Sequence, residues 1–221
     1  MRVRYLILAS LMLTILIPQY VSAQDSTQDS RYFYMTLKPG IYSPQTSELE
    51  GFNTGFNGEI AFGWQPIKYF AAELGVGYFN TEGSESVAGT VNGFNFGARG
   101  EFQLDVLPVT LTAKLIIPYK KWEFFGLGGV GAYFLWADFK ENGTINGTPF
   151  SRKLNGDDVI FGGYLGLGIH YNITPRIFVG AEGKYLWTDK ANPEMSSNAG
   201  SLEAKFKLDG IIATAVLGFR F

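Results

Sequence analysis

Apolar residues recur at every second position along most of this chain, and that period constrains the fold more than any other feature. In GFNGEIAFGW, Phe56, Ile60, Phe62 and Trp64 share one parity, while Asn57, Glu59, Ala61 and Gly63 share the other. In FAAELGVGYFN, Phe70, Ala72, Leu74, Val76 and Tyr78 oppose Ala71, Glu73, Gly75 and Gly77. FGGYLGLGIHYN sets Phe161, Leu165, Leu167, Ile169 and Tyr171 against Tyr164, His170, Asn172 and three glycines. IFVGAEGKYLW sets Ile177, Val179, Ala181, Tyr185 and Trp187 against Gly180, Glu182 and Lys184. Successive side chains of a strand point to opposite faces, so each segment predicts a strand with one apolar face. Beyond residue 23 no stretch approaches the 18 consecutive apolar residues of a membrane-spanning helix.

The connections fall into two kinds. QPIKY (65–69), PYKKW (118–122) and NITPR (172–176) are tight turns, whereas 43–55, 81–93, 140–157 and 189–206 are longer and polar. Short and long alternate, which predicts eight strands near 31–42, 56–64, 70–80, 94–117, 123–139, 159–171, 177–188 and 207–221. The fold class this implies is all-β: an eight-stranded antiparallel up-and-down transmembrane β-barrel with short periplasmic turns and long extracellular loops.

A soluble barrel would also alternate, but two features separate the cases. The small-residue faces carry Lys38, Glu59, Glu73, Lys114, Glu182, Lys184 and Arg220, a nearly neutral set suited to a narrow interior of paired charges. The opposite faces are apolar throughout, as lipid-facing surfaces are. Trp64 and Trp122 stand beside short turns and Trp136 and Trp187 precede long loops, which predicts one aromatic girdle at each membrane interface. In the last strand Ile211, Ala213, Ala215, Leu217, Phe219 and Phe221 are expected to face lipid, and Thr214, Gly218 and Arg220 the lumen.

Two segments break the pattern. Asn95, Arg99, Glu101, Gln103 and Asp105 are polar at odd positions, but after Pro108 the polar positions are even: Thr110, Thr112 and Lys114. Glu203, Lys205, Lys207 and Asp209 are likewise odd and polar, and after Gly210 the odd residues are apolar. Such flips at Pro and Gly predict a β-bulge or a strand break, with 94–105 and 201–209 as β-structure above the outer leaflet. Asn-Gly pairs in VNGF, ENGT and INGT predict hairpin turns. FFGLGGVGAYFLW is apolar on both parities, so the orientation of the fifth strand stays open.

The amino-terminal stretch has Arg2 and Arg4, an apolar run of about 12 residues from Leu6 to Ile17, and Val21-Ser22-Ala23. That is a secretory signal peptide expected to be cleaved after Ala23, since a spanning helix needs ~20 residues. The expected organisation is a signal peptide at 1–23, a short segment at 24–30 and a barrel at 31–221, exported to the cell outer membrane. No cysteine is present, so no disulfide or thiolate chemistry exists. A formal net charge of −2 without a basic stripe excludes nucleic acid as a partner.

Little else carries chemistry. His170 is the one histidine, with no HxH or HxxxH spacing for a metal, and parity points it inward. GLGGVG (126–131) follows no strand-to-helix switch and reads as strand glycines, not a phosphate loop. DKANPEMSSNAG lacks the carboxylate spacing of a calcium loop. No catalytic, cofactor-binding or metal-ligating residues are assigned, and no cofactor is expected.

The terminal LGFRF, the first strand YMTLKPGIYSP and the hairpin VTLTAKLIIPYKKWEFFGLGGVGAYF resemble the small eight-stranded outer-membrane β-barrel proteins of the OmpX/OmpW type. The resemblance covers 31–221. It implies that Phe221, Phe219 and Leu217 form the signal read by the barrel-assembly machinery. It also implies a monomer surrounded by outer-membrane lipid and lipopolysaccharide. The function expected is a non-enzymatic structural or surface-interaction role, with a narrow conduit for small or apolar solutes as the OmpW-like alternative. A lipid-modifying enzyme is the weakest reading: related barrels place a Ser-His-carboxylate set on the lipid face, whereas His170 points inward and is followed two residues later by Asn172.

Overall fold

The alternating segments form strands. A computed structural model describes residues 31–221 other than 47, 48, 50, 51, 92, 93, 146, 147, 198, 199 and 204; the expected signal peptide and residues 24–30 lie outside the described residues. The strands are β1 (Tyr32–Pro44), β2 (Gly55–Ile67), β3 (Phe70–Val91), β4 (Phe94–Tyr119), β5 (Trp122–Ile145), β6 (Thr148–Asn172), β7 (Ile177–Thr188), β8 (Glu194–Ser197), β9 (Gly200–Glu203) and β10 (Gly210–Arg220). Eight of them close a ring in the order β1–β2–β3–β4–β5–β6–β7–β10, with β10 returning to β1. Every pairing is antiparallel. The remaining two, β8 and β9, make a short hairpin joined to β6 at Asn155–Ser196. Closure leaves the ring without a free strand edge, which is what lets a sheet cross a membrane.

The outside of the ring is apolar: Leu37, Ile60, Leu74, Leu111, Leu165, Leu167 and Leu217 all stand exposed on it. Trp64 and Trp122 mark one end of this band, and Trp187 the other. No helix among the described residues is long and apolar enough to cross a membrane. The crossing is made by strands.

Four strands run far beyond the lipid band. The polar segments 81–93 and 140–157, expected as loops, are strand for most of their length: β3 reaches Val91, β5 reaches Ile145 and β6 begins at Thr148. ENGT (141–144) is not a turn but part of β5. Asn92-Gly93 and Asn146-Gly147 lie outside the described residues, and the strands flanking them pair Val91 with Phe94 and Ile145 with Thr148. Among the described residues of 201–209, Ser201–Glu203 is strand and Phe206 makes an isolated antiparallel bridge to Ala191.

The expected bulge at Pro108 is absent. The β3–β4 register runs from Phe70–Leu115 to Val91–Phe94 without a shift, and β4–β5 is equally continuous. Even-numbered residues face inward along the described length of β4: Leu104 and Val106 first, then Thr110, Thr112 and Lys114. What changes at Pro108 is the surroundings. Below it the outer face meets lipid and is apolar; above it the outer face meets water and carries Asp105, Gln103 and Glu101, so the inner face becomes an ordinary apolar core. The last strand repeats this, with Phe206 and Leu208 buried above Gly210 and Ile212 and Thr214 buried below. β10 does begin at Gly210, so a strand break is present there without a change of parity. The register shift that does occur lies between Trp64 and Ile67 in β2, around Pro66, which has no N–H to give a ladder.

Candidate functional site

The interior of the lipid-embedded segment is where this sequence spends its buried charges. Lys38 on β1, Glu59 on β2, Glu73 on β3, Lys114 on β4, and Glu182 and Lys184 on β7 all point inward and are buried, Glu73 completely. Lys38, Glu73, Lys114 and Glu182 form a closed ring. Lys38 Nζ lies 2.7 Å from Glu73 and 3.3 Å from Glu182, and Lys114 Nζ lies 2.7 Å from Glu73 and 2.6 Å from Glu182. Glu59 extends the ring, 2.8 Å from Lys38 and 2.8 Å from Lys184. Tyr34 donates a further hydrogen bond to Glu73 at 2.9 Å. Three cations meet three anions, and most of the pairs join strands that are not neighbours in the wall. The network therefore braces the barrel across its interior.

Glycine makes room for this filling. The rings of Tyr34, Phe125, Tyr164 and Phe178 lie over Gly63, Gly168, Gly129 and Gly218, where a Cβ would collide with them. Large and small inward residues thus alternate around the wall, as a narrow barrel requires.

Arg220 does not touch the six. It sits at the short-turn rim, 2.9 Å from Glu123 and donating to Asn172 at 2.6 Å, with its guanidinium over the rings of Tyr32 and Phe178. Glu123 is a partner that the alternation did not place in the network. His170 stands between the two groups, 3.9 Å from Glu123 and 3.8 Å from Glu182, its ring 4.5 Å from that of Phe125 and 4.6 Å from that of Phe178. The space left among Tyr32, Tyr34, His170, Phe178 and Arg220 is about 10 Å³, room for one water at most. On the other side of the charges the interior closes again with Tyr42, Phe79, Leu104, Val106, Leu135, Leu186 and Leu208, all fully buried. Tyr42 donates to the Leu208 carbonyl at 3.0 Å there.

A ring of outward apolar strands around a charge-neutral interior is the build of an outer-membrane barrel, and the outer membrane protein beta-barrel domain matches residues 8–221. This chain belongs to that family. The barrel is accordingly an outer-membrane protein. Solved structures with the same fold include the outer membrane protein OprG from Pseudomonas aeruginosa, 13% identical, TM-score 0.55, over 86% of this chain and 96% of that one. A major outer membrane protein from Thermus thermophilus is 14% identical, TM-score 0.50, over 87% and 100%. Neisserial surface protein A is 14% identical, TM-score 0.47, over 86% and 97%. No curated protein matches the chain.

Leu217 and Phe219 lie outward on β10, the strand that closes the ring. Phe221 follows them, exposed, its ring 6.4 Å from Phe62 and 5.6 Å from Phe219, and its N–H bonds the Phe33 carbonyl at 2.9 Å. Phe33 stacks on Phe62 at 5.5 Å, so Phe33, Phe62, Phe219 and Phe221 form an aromatic cluster at the short-turn interface. Among the described residues no group of three or more His, Asp or Glu is arranged to hold a metal ion.

Proposed function

We propose that the chain is a closed, non-enzymatic outer-membrane barrel whose role is structural and surface-directed. On this view the lipid-embedded part anchors the molecule and the extension of β3–β6, with the β8–β9 hairpin, meets the exterior. The filled lumen carries this reading: a rim of Arg220, Glu123 and Asn172, then the charge ring, then an apolar core leave no continuous aqueous path. An eight-stranded barrel is just wide enough for its side chains to fill it. His170, enclosed by Phe125 and Phe178 on the lumen side, has no access to lipid and is a poor general base for lipid chemistry. In planar bilayers the purified protein is expected to give no steady porin-like conductance. A large, stable current from the unaltered protein would overturn the closed-barrel reading.

A conduit for small or apolar solutes is the second reading. A groove of about 640 Å³ on the lipid side, along Leu111, Val130, Phe161 and Trp187, favours it, because it follows the outer wall to the upper end of β7, where the β6–β7 ladder stops after the Asp189–Phe161 bond. Solute-dependent swelling of protein-bearing vesicles would promote it.

The outward row Leu217, Phe219 and Phe221 serves, on the family resemblance, as the recognition element for the assembly machinery. Lipid and lipopolysaccharide surround the finished monomer. Phe221→Ala removes one interfacial aromatic, which buries about 2–3 kcal/mol of apolar surface. A closed barrel withstands that, so outer-membrane levels in cells should fall severalfold while the refolded protein unfolds near its usual midpoint. Normal cellular levels would reduce Phe221 to a packing detail.

A further inference from the structure

The short-turn rim of the barrel is basic, whereas the long-strand side carries both signs, with Lys140, Lys153 and Lys190 standing near its aspartates. Just beyond the lipid band on the long-strand side, the outward positions hold Asp105, Asp138, Asp157 and Asp189. On the short-turn side every turn is basic and exposed: Lys68 between β2 and β3, Lys120 and Lys121 between β4 and β5, and Arg176 between β6 and β7. The acidic residue nearest these turns, Glu123, is turned inward and held by Arg220.

Lys120 makes the pattern pointed. Its φ of 57° is the one positive value for a residue other than glycine among the described residues. Glycine, asparagine or aspartate fits that position of a two-residue turn with less strain. A lysine there trades backbone comfort for a cationic side chain. The depth is also defined. Lys68 Nζ lies 5.8 Å from the Tyr69 ring and Lys120 Nζ 5.4 Å from the Tyr119 ring. Tyr69, Tyr119 and Trp122 are exposed and stand at the edge of the apolar band, where amphipathic rings mark the headgroup level. The ammonium groups are therefore held at phosphate depth.

We propose that this rim is a docking ring for the phosphate headgroups of anionic phospholipids in the periplasmic leaflet, with Lys68, Lys120, Lys121 and Arg176 as its contacts. A wall polymer fits less well. Turns of two residues (68–69 and 120–121) and four residues (173–176) project little past the headgroups, and Lys68 and Lys120 lie beside interfacial tyrosines, not on a protruding element.

The test uses the folded full barrel in phosphatidylcholine vesicles containing phosphatidylglycerol, with bound lipid read by native mass spectrometry or spin-labelled lipid competition. One basic residue near an anionic surface corresponds to about a fivefold preference. The unaltered protein should therefore retain phosphatidylglycerol over phosphatidylcholine at least about fivefold, and lose most of that in ~1 M salt, where the Debye length is about 3 Å. The fourfold variant Lys68→Gln, Lys120→Asn, Lys121→Gln, Arg176→Gln should fall to parity. Lys120→Asn alone should lower the preference while leaving thermal stability equal or higher, which a structural lysine would not do. It carries the test if the fourfold variant does not fold. Absence of a preference in the unaltered protein, its persistence in the variants, or tighter retention of isolated peptidoglycan than of phosphatidylglycerol vesicles would each overturn the proposal.

Discussion

Glu59→Ala combined with Glu73→Ala is expected to be the most damaging change in the lumen. It removes four of the six ion pairs of the network and leaves Lys38, Lys114 and Lys184 with Glu182 alone. A buried charge stripped of its partner costs about 3–5 kcal/mol, because desolvation remains when the attraction has gone. Two such losses sharing one network do not add, so a loss of at least that size is expected for the pair. The measurement is urea unfolding in lipid vesicles, followed by tryptophan fluorescence. The same variant has an interior carrying two excess positive charges and space where two side chains stood, so weak, flickering, anion-preferring current should follow. Arg99–Glu101 supplies the control. That pair is 3.2 Å apart but about half exposed on both sides, and its removal should change stability by under about 1 kcal/mol. If the double variant unfolds within about 1 kcal/mol of the unaltered protein, the charges are not a brace.

How much of this is legible in the sequence depends on where the chain meets lipid. Between Phe70 and Tyr78, or Phe161 and Tyr171, one face is apolar and the other small or charged, and the alternation alone places Glu73, His170 and Leu167. Beyond the outer leaflet the same strand in the same register reverses its polarity. Asp105 and Leu104 then look like a slip at Pro108 although the backbone runs straight. The ENGT stretch of β5 reads as a turn for a related reason: in water an extended hairpin and a loop are both polar outside, and two Asn-Gly pairs stand in one segment. Strand five is ambiguous because Phe125 and Leu127 fill the lumen while Phe124 and Val130 face lipid. Glu123 holds the missing signal. A carboxylate in an otherwise apolar crossing must face inward, and that parity orients Phe125 and Leu127 at once. It also supplies the partner that keeps Arg220 at the rim, apart from the charge ring. That separation depends on which tier each strand reaches, a property of shear that no local pattern encodes.

Leu167→Arg is expected to be the most damaging change on the outer wall. Leu167 is 73% exposed, a value that would be ordinary for a surface polar residue but is large for leucine, and its neighbours across the ladder are Gly126 and Gly183. It lies within the lipid-facing part of β6, which runs from Tyr171 near the short-turn girdle to Val159 near the outer one and has Leu165 at its midpoint. An arginine there sits in hydrocarbon with glycine on both sides and no carboxylate on its face. The cost for a cation at the bilayer midplane of such a barrel is about 2–4 kcal/mol, falling to about 0–1 kcal/mol near the interfaces. Val159→Arg, outward on the same strand beside Asp158, should therefore be nearly neutral. Leu165→Arg, 63% exposed and two residues from Leu167, should match it. The three variants together form a depth scan, read as unfolding free energies in vesicles of one lipid. A water-soluble barrel would show no such gradient, since arginine on a solvated face costs little at any height. Equal, small effects at Leu167, Leu165 and Val159 would mean that the apolar face does not meet lipid.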